Sequence, residues 1–234
     1  MDTFNYGEDH MTSGIALKLA RKEIKGILNT DTQEKIKASA LAVANIAKGE
    51  KTVYGINTGF GPLCTSKISA ADTQTLQENL LKSHAVGLGE PVPIEISKLM
   101  LVLKLQALAQ GFSGIKLETL ERMLWMLENE VIPVVPIQGS VGASGDLAPL
   151  SHLFLPLLGL GKVHYEGSIV KTAEVFAKLG MEALTLGPKE GLALINGTQF
   201  MAAYGVKIVD RLHNLLVHAD ITGAMMIEGL MGSI

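Results

Sequence analysis

The chain has 234 residues, 47% of them apolar, with 20 Lys and Arg against 23 Asp and Glu for a net charge of −3. That is enough apolar side chain for one or two domains with a sizeable core, which excludes a disulfide-held miniprotein and a disordered chain. The near-balanced charge offers no broad positive field to a phosphate backbone, so no nucleic-acid partner is expected.

Mean hydropathy is high, at +0.30. Even so, Lys104, Pro156 and frequent glycines interrupt the apolar stretches before any reaches the ~18 to 20 residues that span a bilayer, and no membrane partner is expected. Residues 1–9 lack a basic region followed by an apolar core, so no secretory signal is read and the cytoplasm is the expected compartment. The single cysteine, Cys64, can form no internal disulfide and leaves no thiolate set for a structural zinc.

Taken in chain order, Ile15, Leu19, Ile24 and Leu28 recur at roughly helical spacing and predict a helix over 12–28. Asp31 and Glu34 resemble a capping box that starts a second helix, carrying Ile36, Ala40, Val43, Ile46 and Ala47 and stopping at a left-handed Gly49. Residues 53–62 hold three glycines, an Asn and a Pro, which is turn chemistry placing Tyr54 on a fixed irregular segment. Helical signals return over 69–84, over 93–110 with Pro93 at a first helical position, and over 117–131 with Leu120, Leu124 and Leu127 on one side. Pro133 and Pro136 end that run.

A second glycine-rich segment, 139–146, leads into the apolar stretch 147–158. Residues 162–170 alternate and turn at Glu166-Gly167, which predicts a small β-hairpin, and a short helix follows over 172–179. After Gly187-Pro188 an apolar pattern begins near Glu190 and continues as a long helix from Asn196 towards His218. The predicted architecture is mainly α. Residues 224–234 are strongly apolar, and the chain reads as a truncated protein whose partner surface begins where it stops. No repeat of solenoid period stands out.

Locally, 139–146 reads as a glycine-rich turn with Asp146 capping the helix that contains Pro149, since its spacing is not that of a phosphate loop and no Gly-Lys-Ser/Thr follows. His213 and His218 are five apart, on different helix faces, which is wrong for a zinc pair. No metal site is expected. Lys18, Arg21, Lys22, Glu23 and Lys25 read as a solvated helix face.

Eleven consecutive residues, Gly142-Ala143-Ser144-Gly145-Asp146-Leu147-Ala148-Pro149-Leu150-Ser151-His152, resemble the signature of the aromatic amino acid ammonia-lyases, the histidine branch above all. The resemblance implies the N-terminal part of a fumarase/aspartase-like helical fold. Residues 1–190 would form the catalytic N-terminal domain, and 191–234 the start of a central helical bundle that stops short. It also implies that Ala143, Ser144 and Gly145 cyclise with loss of two waters into a methylidene-imidazolone (MIO) electrophile, with no dissociable cofactor. Glycine suits the third position because a Cβ there would crowd the attack of its nitrogen on the Ala143 carbonyl. Ser144 would supply the departing hydroxyl, and Asp146 the carboxylate that helps move protons.

Two further segments carry the same resemblance. Tyr54-Gly55-Ile56-Asn57-Thr58-Gly59-Phe60-Gly61 is similar to the family's loop bearing its catalytic tyrosine. Tyr54 would then be the base that removes the substrate's β-proton, a task for a phenol whose ordinary pKa is about 10 and must fall, and Gly61 would lie along the substrate. Gly187-Pro188-Lys189-Glu190-Gly191-Leu192-Ala193-Leu194-Ile195-Asn196-Gly197-Thr198-Gln199 is also similar, and makes Asn196 the donor that stabilises charge developing on the electrophile.

Residues 76–85 resemble the family's selectivity helix. Ser83-His84 there fits the histidine lyases, makes His84 a substrate contact, and occurs in tyrosine aminomutases as well. The implied reaction is L-histidine to trans-urocanate and ammonia, as part of histidine catabolism, in a homotetramer acting on a free amino acid. The alternatives are a tyrosine or phenylalanine ammonia-lyase or aminomutase, and a catalytically inert N-terminal fragment of such an enzyme. The length departs from the family, whose members are roughly twice as long, and puts the activity of the 234-residue chain itself in doubt.

Overall fold

A computed structural model describes residues 2–59, 68–142 and 145–232, with backbone alone at 70 and 71. Gly61, Ala143 and Ser144 lie outside the described residues. The fold is organised around α4 (Ile94–Ala109). From Leu99 to Ala109 its sequence is apolar on almost every face, and a helix stretch of that kind belongs at the centre of a core. Leu99, Met100, Leu101, Val102 and Leu105 are accordingly fully buried. Against it pack α1 (Ser13–Ala20), α5 (Leu117–Glu128) and α9 (Gln199–Gly229). The amphipathic α5 buries Leu120, Met123 and Met126 and leaves Glu118 and Glu121 outside that stripe.

Between 12 and 28 the chain departs from a single helix. α1 ends at Ala20, Lys22 takes a left-handed φ of 61°, and β2 (Lys25–Ile27) pairs in parallel with β1 (Thr3–Asn5). Strands of three residues carry too little alternation to compete with the helical spacing of Ile24 and Leu28. α2 (Thr30–Lys48) is capped by Asn29, whose side chain accepts from Thr32 N at 2.9 Å, in place of the capping box expected at Asp31. Its last carbonyls meet an extended Gly49 (φ −70°, ψ 168°), where a left-handed one was expected.

α3 (Ala70–His84) begins at Ser69, whose hydroxyl accepts from Asp72 N and donates to the Asp72 carboxylate. It packs against α6 (Leu147–Phe154) and α8 (Glu190–Ile195). The approach to α8 is close because Gly191 has no side chain: a Cβ there would run into the Gln77 carbonyl. The buried Gln77 Oε1 also accepts from Leu192 N at 3.3 Å. After α6, Pro156 tightens the apolar run into a 3-10 turn, Leu155–Leu158.

The expected hairpin is present as β6 (Lys162–Tyr165) and β7 (Ser168–Lys171), with Tyr165 opposite Ser168 and positive φ at both Glu166 and Gly167, the geometry of a two-residue hairpin turn. β4 (Ile132–Pro133) adds a third strand on β6. β3 (Leu88–Pro91) pairs with β5 (Pro136–Gln138), which ties the segment after α3 to the segment before α6. α7 (Thr172–Leu179) follows the hairpin directly. The predicted continuous apolar run after Glu190 is broken at 196–198 between α8 and α9, and that break forms part of the site.

Candidate active site

The centre of the site is Asp146, which is fully buried and accepts from one near and one distant residue. Ser140 Oγ donates to Oδ1 at 2.5 Å, and Met201 N, in the first turn of α9, donates to Oδ2 at 3.1 Å. A carboxylate at a helix N-terminus satisfies an otherwise unpaired N–H and meets the positive end of the helix dipole. Asp146 does stand at the N-cap position of α6, as the local sequence suggests, but its side chain makes no capping bond there and caps α9 instead. Its own N–H donates to the Gly197 carbonyl at 2.8 Å.

These bonds hold the described residues on either side of 143–144. Val141 and Gly145 face one another in an antiparallel bridge, and Gly145 has φ +109°, a conformation that costs glycine little and an L side chain a great deal. Over Gly145 lies the turn between α8 and α9: a Cβ added there would meet the Gly197 carbonyl at 3.4 Å and Asn196 Oδ1 at 3.9 Å. Asn196 ends α8, has an exposed side chain, and directs its carbonyl to the Lys104 ammonium, which donates at 2.7 Å. Lys104 is buried in α4, and burial pushes its pKa down to about 7.

His84 sits half-buried in the last turn of α3 with Nδ1 2.9 Å from the Leu80 carbonyl. A carbonyl can only accept, so Nδ1 carries a proton in this bond. The segment beyond it is joined to the Asp146 region. Gly87 N donates to His152 Nε2 at 3.0 Å from α6, and Leu88 pairs with Gln138. Burial lowers the His152 pKa, which keeps this acceptor nitrogen unprotonated.

Tyr54 is carried on a separate segment, the loop after α2, with 57% of its surface exposed. That loop is held by the buried Asn57, whose Oδ1 accepts from Val53 N at 2.8 Å and whose Nδ2 donates to the Lys51 carbonyl at 3.0 Å. The structure thus brings together Gly145, Asp146 and Asn196, links the His84 segment to them through α6 and β5, and sets Tyr54 on a locally braced loop. An apolar cleft of about 220 Å³ among Tyr6, Leu19, Gly26, Leu124 and Leu127 shares no residue with this arrangement.

Sequence reasoning missed Lys104, Ser140, His152 and the bracing role of Asn57. Lys104 did leave a signal, a cation in the middle of the apolar run 99–109, which calls for a specific partner.

The aromatic amino acid lyase family model matches residues 12–234, and the chain belongs to that family. It is 50% identical to the histidine ammonia-lyase of Shouchella clausii over 91% of this chain and 43% of that protein. Among solved structures, the histidine ammonia-lyase of Trypanosoma cruzi superposes with a TM-score of 0.91 at 36% identity, over 100% of this chain and 45% of the other. The tyrosine aminomutase of Streptomyces globisporus gives 0.88 at 32% identity, over 97% and 42%. The chain therefore spans less than half the length of these relatives, and the mostly helical fold with few strands is the one their N-terminal parts share.

Proposed function

We propose that this chain carries the N-terminal part of the active site of an ammonia-lyase that converts L-histidine to trans-urocanate and ammonia. The observation that carries the reading is the clamp on Gly145, with its positive φ, the Asp146 carboxylate bonded to Ser140 and Met201, and Asn196 lying over it. This fits the closure of Ala143-Ser144-Gly145, in which the Gly145 nitrogen bonds to the Ala143 carbonyl carbon and two waters leave, one from that carbonyl and one from Ser144. The resulting MIO supplies an electrophile that draws electrons from the substrate so that its amine can depart.

The chain's own residues do the rest. Asp146, bonded to Met201 N, holds the loop end and accepts protons during closure. The Asn196 side chain, carried at the end of α8, donates where negative charge develops. Tyr54, on the loop braced by Asn57, takes the β-proton. His84, with Nδ1–H bonded to Leu80, offers Nε2 as an acceptor for the N–H of an imidazole side chain. Gly61 is assigned to the substrate's flank by resemblance alone, as are the homotetramer and the division into a catalytic part, 1–190, and the opening of a central bundle, 191–234.

A tyrosine aminomutase is the second reading, favoured by the superposition above and by the Ser83-His84 pair. The test is ammonia release, with product ultraviolet spectra, from L-histidine, L-tyrosine and L-phenylalanine by an enzyme that carries this chain within the full length of its relatives. Turnover of histidine to urocanate, lost in Tyr54→Phe, is the expected result. Formation of a β-amino acid from tyrosine would favour the second reading, and near wild-type turnover by Tyr54→Phe would remove Tyr54 as the base.

A further inference from the structure

Lys104 is an expensive residue to keep. It lies in the last third of α4 among Leu101, Val102, Leu105 and Leu108, and is 2% exposed. No carboxylate forms an ion pair with it among the described residues. Taking an amine out of water without a counter-charge costs several kcal/mol, whereas a methionine of similar length would fill the same space at no such cost. What Lys104 has in return is one short bond, 2.7 Å from Nζ to the Asn196 carbonyl, which reaches across 92 positions of sequence.

That carbonyl is a particular one. Asn196 closes α8 in an extended conformation (φ −83°, ψ 118°) while its N–H still bonds back to Leu192, so its carbonyl has left the helix and needs a donor from elsewhere. The next carbonyl, of Gly197, accepts from Asp146 N, and Asp146 in turn accepts from Met201 N. Two consecutive peptide units are therefore held from opposite sides: the Asn196–Gly197 unit by Lys104 of α4, and the Gly197–Thr198 unit by the N–H of Asp146.

We propose that Lys104 is a positioning residue: from the rigid central helix it fixes the Asn196 carbonyl, and thereby sets where the Asn196 side chain and the Gly197 carbonyl meet the loop that holds Gly145 and Asp146. The mechanical part stands on these hydrogen bonds, and its relevance to catalysis rests on the function proposed above. Lys104 touches neither substrate nor the reacting atoms in this scheme. It acts through Asn196 and Gly197.

The test is amide hydrogen exchange on this chain, wild type against Lys104→Met, read at Asp146 and Met201 with Leu184, bonded to the Leu157 carbonyl, and Val163 of the hairpin as references. Loss of the anchor is expected to speed exchange at Asp146 and Met201 by about tenfold or more while the references stay unchanged, the pattern of local opening. Lys104→Gln, which keeps a donor one bond shorter, is expected to fall between the two. Wild-type rates at Asp146 and Met201 in Lys104→Met, or acceleration shared equally by the references, would overturn the proposal.

Should Lys104→Met fail to fold, Lys104→Gln is read alone by the same criterion. Selective acceleration at the two amides supports the anchor, and unchanged or uniform rates overturn it. The wild-type intact mass, taken alongside, tests the other reading separately. A mass without the loss of two waters removes closure of 143–145 and leaves the exchange result to decide Lys104.

Discussion

The two glycine-rich loops are held in opposite ways. The loop that carries Tyr54 is braced by its neighbour in sequence: Asn57 reaches back four residues to Val53 and six to Lys51. The loop that ends in Gly145 and Asp146 has one local brace, Ser140, and is otherwise held from far away, by Met201, by Gly197 and, through Asn196, by Lys104 in α4. The first can be rigid on its own, like any Asx-stabilised turn. The second takes most of its braces from α4, α9 and the turn between α8 and α9, which couples the formation of the site to the completion of the core.

This contrast can be broken at several points. The largest effect is expected at the far anchor. The Lys104 pKa falls from 10.5 towards about 7 on folding, because burial disfavours its charged form. Below pH 7 the amine is protonated in both states and its full penalty is present. As pH rises from about 7 to 10.5 the folded chain holds fewer protons than the unfolded one, so stability rises, by up to about 5 kcal/mol over the window. Urea unfolding of the wild type and of Lys104→Met, compared at intervals across that range, should show the wild type gaining on the variant. A constant difference would contradict it.

Next is Asp146→Ala, which leaves Met201 N–H and the Ser140 hydroxyl without their charged acceptor. It should cost about 3 kcal/mol in the same assay and leave the chain at its unmodified mass. Asn57→Ala is expected to cost about 1 to 2 kcal/mol, with faster amide exchange confined to the segment around Val53 and no effect at Asp146 or Met201. If either loop variant loosens the other loop, the distinction between local and distant bracing fails. The smallest effect is expected at Lys178→Ala: its ion pair with Glu166 lies on the surface, and the unfolding midpoint should not move measurably.

The same contrast explains what could be read from sequence. Signals that act over a few residues were legible: the Glu166-Gly167 turn, the Ser69 start of α3, the apolar stripe of α5 and the α7 helix all lie where their local chemistry puts them. The motif residues Gly145, Asp146 and Asn196 were found by resemblance, and they do come together. Features set by partners dozens of residues away were not legible. β1 and β2 are three residues each and exist only because they pair with one another, and Asp146 looked like the cap of the helix it precedes while serving one that starts at Gln199. Lys104 stood out only as an interruption, because its partner is a backbone carbonyl and no side-chain pattern marks that.

The claim on which the rest depends is that the clamped loop closes its own electrophile. The intact mass of the purified chain tests it most directly, with Asp146→Ala as the control. A wild-type mass two waters below that of the sequence, with the variant at full mass, is the predicted result. A wild-type chain at full mass would contradict it.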